Sequence, residues 1–234
     1  MKKSVVMKLV MALMAGSVFA GDVAVFVDKG FTDDGKYYVF GQYGKTDKKY
    51  QGWAEIYQVD ISANDYVDKG IFKTKPSAVT EGKNGADVFQ DLEAKSFSYF
   101  KDIKTETAPI DNVFYILDDV NKAGSDVIEF TDFHGEIGNQ NKYKIQLKQT
   151  VTGSGKNAKS SFYIDVEKSD SEGKVIDSWK VGTPSIKRKG VYNYKIERIF
   201  CDKAGKNLIF VIEKMMNDDT GISVRYMVEA APFK

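Results

Sequence analysis

The chain has 234 residues, 13% of them aromatic, with 34 Lys and Arg against 33 Asp and Glu for a formal charge of +1. A nucleic-acid binder carries a clear basic excess, so that balance argues against one. A single cysteine, Cys201, excludes an intramolecular disulfide, and stability has to come from packing.

Residues 1–20 read as an export segment. Lys2, Lys3 and Lys8 make a short basic start, Leu9 to Phe19 is apolar apart from Gly16 and Ser17, and Val18-Phe19-Ala20 supplies the small residues of a cleavage site before Gly21. The apolar run is short for a bilayer span, which needs roughly 20 residues. A retained N-terminal anchor is the competing reading. No later stretch resembles a membrane span. Without the leader, Lys and Arg fall to 31 and the charge moves to about −2.

The rest, residues 21–234, reads as one β-rich domain of ordinary size. Val23 to Val27 is an apolar run expected to form a buried strand. Asp33-Asp34-Gly35-Lys36 then makes a tight turn into the strand Tyr37-Tyr38-Val39-Phe40. Asp folds back onto turn amides and Gly accepts a positive φ, while aromatic and β-branched residues suit a pleated surface. In the strand Trp53 to Ile61, one face carries Ala54, Ile56 and Gln58. The other carries Trp53, Glu55, Tyr57, Val59 and Ile61, so both faces are expected to be covered. After the turn at Asn64-Asp65, the segment from Tyr66 to Lys73 returns as a further strand, completing an antiparallel meander.

Between Ala86 and Lys101 alternation stops. Val88, Leu92 and Tyr99 recur at helical spacing, Asn84 is a suitable N-cap, and Asp91 with Lys95 makes an i,i+4 pair. Strands resume at Val113 to Leu117, Val127 to Phe130 and Lys142 to Val151. Ser161 to Lys168 and Lys174 to Val181 form a hairpin, and the segment from Val191 to Phe200 leads into a second turn-strand unit, Phe200-Cys201-Asp202-Lys203-Ala204-Gly205-Lys206-Asn207-Leu208-Ile209-Phe210. The turn Asn217 to Gly221 precedes a last strand, Ile222 to Val228. The fold class is therefore mainly β (α+β), antiparallel meanders around one helix. Two similar turn-strand units leave a partial or degenerate β-propeller as the alternative, since full propellers repeat such a unit about four or more times.

The order Gly30-Phe31-Thr32-Asp33-Asp34-Gly35-Lys36-Tyr37-Tyr38-Val39-Phe40-Gly41-Gln42-Tyr43-Gly44, then Ala54-Glu55-Ile56-Tyr57-Gln58-Val59-Asp60, resembles the predicted secreted proteins of the DUF2259 family. The helical segment, the turn at Gly205-Lys206 and the ending Ile222-Ser223-Val224-Arg225-Tyr226-Met227-Val228 are also similar. The resemblance implies an exported bacterial envelope protein and carries over no catalytic residues.

Candidate chemistry is sparse. Asp132-Phe133-His134-Gly135-Glu136 groups the only imidazole with two carboxylates, yet zinc would need a further ligand. Asp118 and Asp119 could serve as a carboxylate pair, but adjacent residues point to opposite sides of a strand. Gly153-Ser154-Gly155-Lys156 lacks the first Gly and the Ser or Thr of a phosphate loop and reads as a hairpin loop. Ile186-Lys187-Arg188-Lys189-Gly190 reads as sheet-edge protection, with contact to acidic glycans or phospholipid as the alternative. Asn217-Asp218-Asp219 lacks the spacing of a calcium loop. Cys201 is expected to be a buried small apolar residue rather than a nucleophile. No cofactor or metal is expected. Tyr37, Tyr43, Tyr50, Trp53 and Tyr57 crowd the first meander and form a candidate binding patch wherever several share a solvent face.

The functional expectation is an exported, periplasmic or secreted, soluble protein that binds another envelope component, either protein or glycan. A structural subunit of an envelope assembly is the alternative. A hydrolase of cell-wall or surface polymers, using Asp118 and Asp119, is the other.

Overall fold

The computed structural model describes residues 22–117, 127–132, 140–218 and 221–233. In chain order come β1 (Asp22–Val23), β2 (Val25–Thr32), β3 (Tyr37–Lys45), β4 (Gly52–Asp60) and β5 (Asp65–Thr74), then α1 (Gly85–Phe100) and β6 (Thr105–Glu106). There follow β7 (Val113–Ile116), β8 (Ile128–Thr131), β9 (Lys142–Thr152), β10 (Lys159–Ser169), β11 (Val175–Val181) and β12 (Arg188–Lys189). The chain closes with β13 (Val191–Cys201), β14 (Asn207–Asp218) and β15 (Gly221–Pro232).

Three sheets result. The first has the order β5-β4-β3-β2-β6, the second β1-β15-β14-β13-β7, and the third β11-β10-β9-β8, with β12 also on β10. All the pairings are antiparallel except β1 with β15, which is parallel.

The side-chain period of two explains how the sheets stack. On β14, Ile209 and Val211 join Phe31, Tyr38, Phe40 and Tyr57 of the first sheet. Leu208, Phe210 and Ile212 point the other way, onto Tyr143, Ile145, Phe162 and Ile164 of the third. The second sheet is thus the middle layer, buried on both faces. Helix α1 covers the outer face of the first sheet with Val88, Phe89 and Leu92 against Val39, Ala54 and Ile56. Gly41 makes this contact close, since a Cβ there would lie 2.4 Å from the Phe89 ring. Both faces of β4 are covered as its composition implies.

The helix begins where its cap signal lies, with Asn84 accepting from the Ala86 N–H at 3.3 Å. Asp91 forms its ion pair with Lys83 at 3.4 Å, from the preceding loop. The first apolar run differs from expectation. It is split between β1 and β2 at the sheet margins, and Val23 and Val25 are about half exposed. The last strand runs beyond Val228 to Pro232, because β14 offers a partner along its whole length. The two turn-strand units belong to different sheets that face each other. The third sheet is threaded between β7 and β13, so the sheets do not follow one another as consecutive blades.

Strand β15 lies at the margin of the middle sheet beyond the short β1, and side chains of the first sheet close it. Its Tyr226 N–H donates to Gln42 Oε1 at 2.8 Å, and Ala230 N–H to Asn64 Oδ1 at 2.6 Å. Two backbone donors that would otherwise template another strand are taken internally.

Two titrations follow from this packing. Cys201 is fully buried, and burial pushes its thiol up to about 12. The native protein should resist a thiol reagent at pH 8 and take up one equivalent only in denaturant, read by absorbance of the released thiolate. Lys214 on β14 is desolvated, which pulls its ammonium down to about 8 from an ordinary 10.5, with the Glu55 carboxylate partly opposing. Between those values the unfolded chain binds the extra proton, so stability should rise with pH across the window. Urea unfolding at pH 7 and pH 9 checks this, and Lys214→Met should flatten the rise.

Candidate functional site

A cleft lies between the chain's two similar turns. In the β2–β3 turn, Gly35 has φ 66° and its N–H donates to Thr32 O at 2.8 Å. Asp34 Oδ1 accepts from Thr32 Oγ1 at 2.7 Å and from the Lys36 N–H at 3.1 Å. Those two bonds, Thr32 first, hold its carboxyl below the usual range.

The β13–β14 turn is built alike with one residue more. Gly205 has φ 63° and donates to Asp202 O at 2.9 Å. Asp202 Oδ1 accepts from the N–H groups of Lys206 at 2.7 Å and Asn207 at 3.2 Å, and Oδ2 accepts from Asn207 Nδ2 at 2.7 Å. The same Asn207 amide crosses to the other turn and donates to Gly35 O at 3.3 Å. Asn112 Nδ2 anchors the carbonyl of Asp202 at 2.6 Å. Beneath the turns, Phe200 packs on Phe31 and Tyr38 with ring centroids 5.9 and 5.5 Å apart.

Between these tips lies a cleft of about 480 Å³, with Thr32, Asp33 and Asp34 on one wall and Lys203 and Lys206 on the other. Glu106 closes it, paired with Lys203 at 3.3 Å. A second cleft of about 450 Å³ shares Asp33 and Asp34 and is lined by Tyr37, Gln58 and Lys104. Asp33 and Asp34 thus form an exposed acidic ridge between two hollows. Carboxylates and ammoniums on opposite walls, held by a fixed backbone, suit a polar partner bearing both charges.

The five aromatic candidates are dispersed by the pleat. Tyr37 lines the second cleft, and Tyr43 packs on Phe89 of α1 at 5.4 Å. Tyr50 is 62% exposed in the β3–β4 connection, with Lys45 over its ring. Trp53 and Tyr57 are buried. The Trp53 indole N–H donates to both oxygens of Asp22, and Arg225 lies 3.9 Å over its ring. Tyr57 donates to Glu55 Oε2 at 2.7 Å and stacks on Phe40. Of the five, only Tyr37 lines either cleft, and it lines the second.

Asp118, Asp119, His134, Glu136 and Asp219 lie outside the described residues. Among the described residues, no group of three or more His, Cys, Asp and Glu is placed to hold a metal. Gly153 to Lys156 is the β9–β10 connection, as a hairpin loop requires. The basic run is only partly an edge device. Arg188 on β12 turns inward, 3.8 Å from the buried Glu229 and over the Phe162 ring. Among the described residues, no helix is long and apolar enough to cross a membrane.

The family description "predicted secreted protein (DUF2259)" matches residues 39–231, most of the chain. The chain belongs to the DUF2259 family. No curated protein and no solved structure matches it. The DUF2259 match takes in the whole second turn and begins just after the first. Asn207, Glu106 and Lys203 escape a reading of the sequence, because their value lies in which turns meet. The turn duplication was the one visible signal.

Proposed function

We propose that this DUF2259 protein is exported and acts by binding another component of the cell envelope, protein or glycan, at the cleft between its two turns. The observation that carries this is the Asn207 side chain, which ties both turns together and leaves the charged walls pre-formed. A site already in its bound shape loses less entropy on association. The basic leader with its apolar run supports export, as does the family's secreted description.

The test places a photo-crosslinking residue at Asp33 in the exported protein within its host, with Val79, 81% exposed elsewhere, as control. A discrete adduct should form from position 33 alone and disappear with Lys203→Glu. Asn207→Ala should weaken that adduct and destabilise the fold by about 1–3 kcal/mol, since it strips a hydrogen bond from the buried Asp202 carboxylate. Equal labelling from both positions, or adducts indifferent to Lys203, would count against the cleft.

A further inference from the structure

We propose that the corner formed by the β3–β4 connection and the single turn Ala78–Thr80 docks the protein onto an anionic phospholipid bilayer. The two loops are built as one rigid unit. Gly82 N–H donates to Tyr50 O at 2.9 Å, Thr46 N–H to Gln51 O at 3.0 Å and Gln51 N–H to Thr46 Oγ1 at 3.0 Å, while Gln51 makes a β-bridge with Glu81. These bonds hold Tyr50 at φ 49°, in the left-handed region that bulky side chains rarely enter. No core contact offsets that strain. The ring is 62% exposed under the Lys45 ammonium, and Val79 on the neighbouring turn is 81% exposed.

Charge names the partner. Residues 45–50 and 75–83 carry five lysines against Asp47 and Glu81. Lys83 is paired with Asp91 of α1 at 3.4 Å, while Lys45, Lys48, Lys49 and Lys75 are exposed on the same two loops as Tyr50 and Val79. Lysines near a bilayer are drawn to its negative headgroups, a tyrosine ring rests at headgroup level, and an aliphatic side chain enters the acyl boundary. An anionic glycan would satisfy the lysines but offers Val79 no apolar phase, so lipid fits the whole set. The rigid corner has little entropy to lose on docking. Its place in the fold gives the docking a direction. The corner and the cleft lie at opposite ends of β3, whose nine residues span about 30 Å. A protein seated by this corner holds its cleft away from the bilayer, open to a partner. Lipid gives no discrete protein adduct, so Val79 remains a control for the cleft.

The test takes the chain from Gly21 onward, since the described fold lies beyond the leader and the leader's apolar run would itself enter lipid. It is sedimented with vesicles of equal parts phosphatidylglycerol and phosphatidylcholine, and with phosphatidylcholine alone. Binding should favour the anionic vesicles at least about tenfold at low salt and fall as added salt screens the lysines. Lys48→Gln and Lys49→Gln should each weaken it about fivefold. Lys174→Gln, an exposed lysine in the β10–β11 connection of the third sheet, should leave it unchanged. Tyr50→Trp reads the depth: bromine-labelled lipid tails should quench its fluorescence beyond the level that Trp53 and Trp179 set in the parent. Equal binding to both kinds of vesicle would overturn the docking. So would a loss with Lys174→Gln as large as with Lys48→Gln, or bound Tyr50→Trp protein quenched no more than its parent.

Discussion

Arg225→Ala is expected to destabilise the protein by about 3–5 kcal/mol, the range for leaving one charge of a buried pair without its partner. The Asp22 side chain has no exposure and that of Arg225 only 16%, so water cannot take over the lost contacts. Arg225 does three things at once: it neutralises the Asp22 carboxylate, takes the carbonyls of Asp22 and Val224, and lies over the Trp53 ring. Alanine keeps none of them and leaves a buried carboxylate with the indole N–H. Since small domains are stable by only about 5–15 kcal/mol, a loss of this size moves the urea midpoint far. The comparison that separates burial from charge alone is Lys36→Ala. Its partner Asp34 is a surface group, the two side chains being 71% and 49% exposed, and that change should stay within about 1 kcal/mol. Replacing Asp22 and Arg225 together by apolar residues should lose less than Arg225→Ala, because no unpaired charge remains. A loss below about 1 kcal/mol for Arg225→Ala would mean that the pair is solvated and that β1 is not held as described.

The elements themselves were legible in the sequence because each has a local cause. Alternation of Tyr143, Ile145 and Leu147 with Lys144, Gln146 and Lys148 marks β9, and Asn84 ahead of a 3.6-residue period marks α1. What local pattern does not contain is which faces meet. The sequence shows that Trp53 and Tyr57 are large aromatics, but their burial depends on a middle sheet assembled from strands more than a hundred residues later. The same holds for the basic run, where Arg188 looks like any edge lysine until Glu229 and Phe162 are brought against it. Polar residues were the least legible of all. Gln42 and Asn64 look like surface positions of a meander, yet they close the margin of β15 with hydrogen bonds across 184 and 166 residues of chain. The cleft stands between these cases. Two Asp-and-Gly turns were visible as a pair, whereas their contact through Asn207 was not.

Phe200→Ala should be the most damaging single change near the cleft, at about 3–5 kcal/mol, the cost of truncating a fully packed phenylalanine and leaving a cavity. Phe200 is 1% exposed and meets Phe31 edge-on and Tyr38 at a tilt, so it is an aromatic contact between the hairpin of the first sheet and that of the middle sheet. Neither neighbour is free to fill the space. Phe31 is held in β2 beside β6, and the Tyr38 hydroxyl is fixed on Asp28 at 2.9 Å. The void should therefore persist, with the larger loss that a rigid site entails. Phe97→Ala on α1 removes the same side chain from a position 65% exposed and should change stability by no more than about 0.5 kcal/mol. The two turns are joined by Phe200 below and Asn207 above. Loss of the lower contact should also loosen the upper one, and the Gly35 and Gly205 amides should exchange faster in Phe200→Ala than in Phe97→Ala. If those amides keep their protection while global stability falls, the turns hold each other without the aromatic contact, and the pre-formed cleft depends on the Asn207 amide alone.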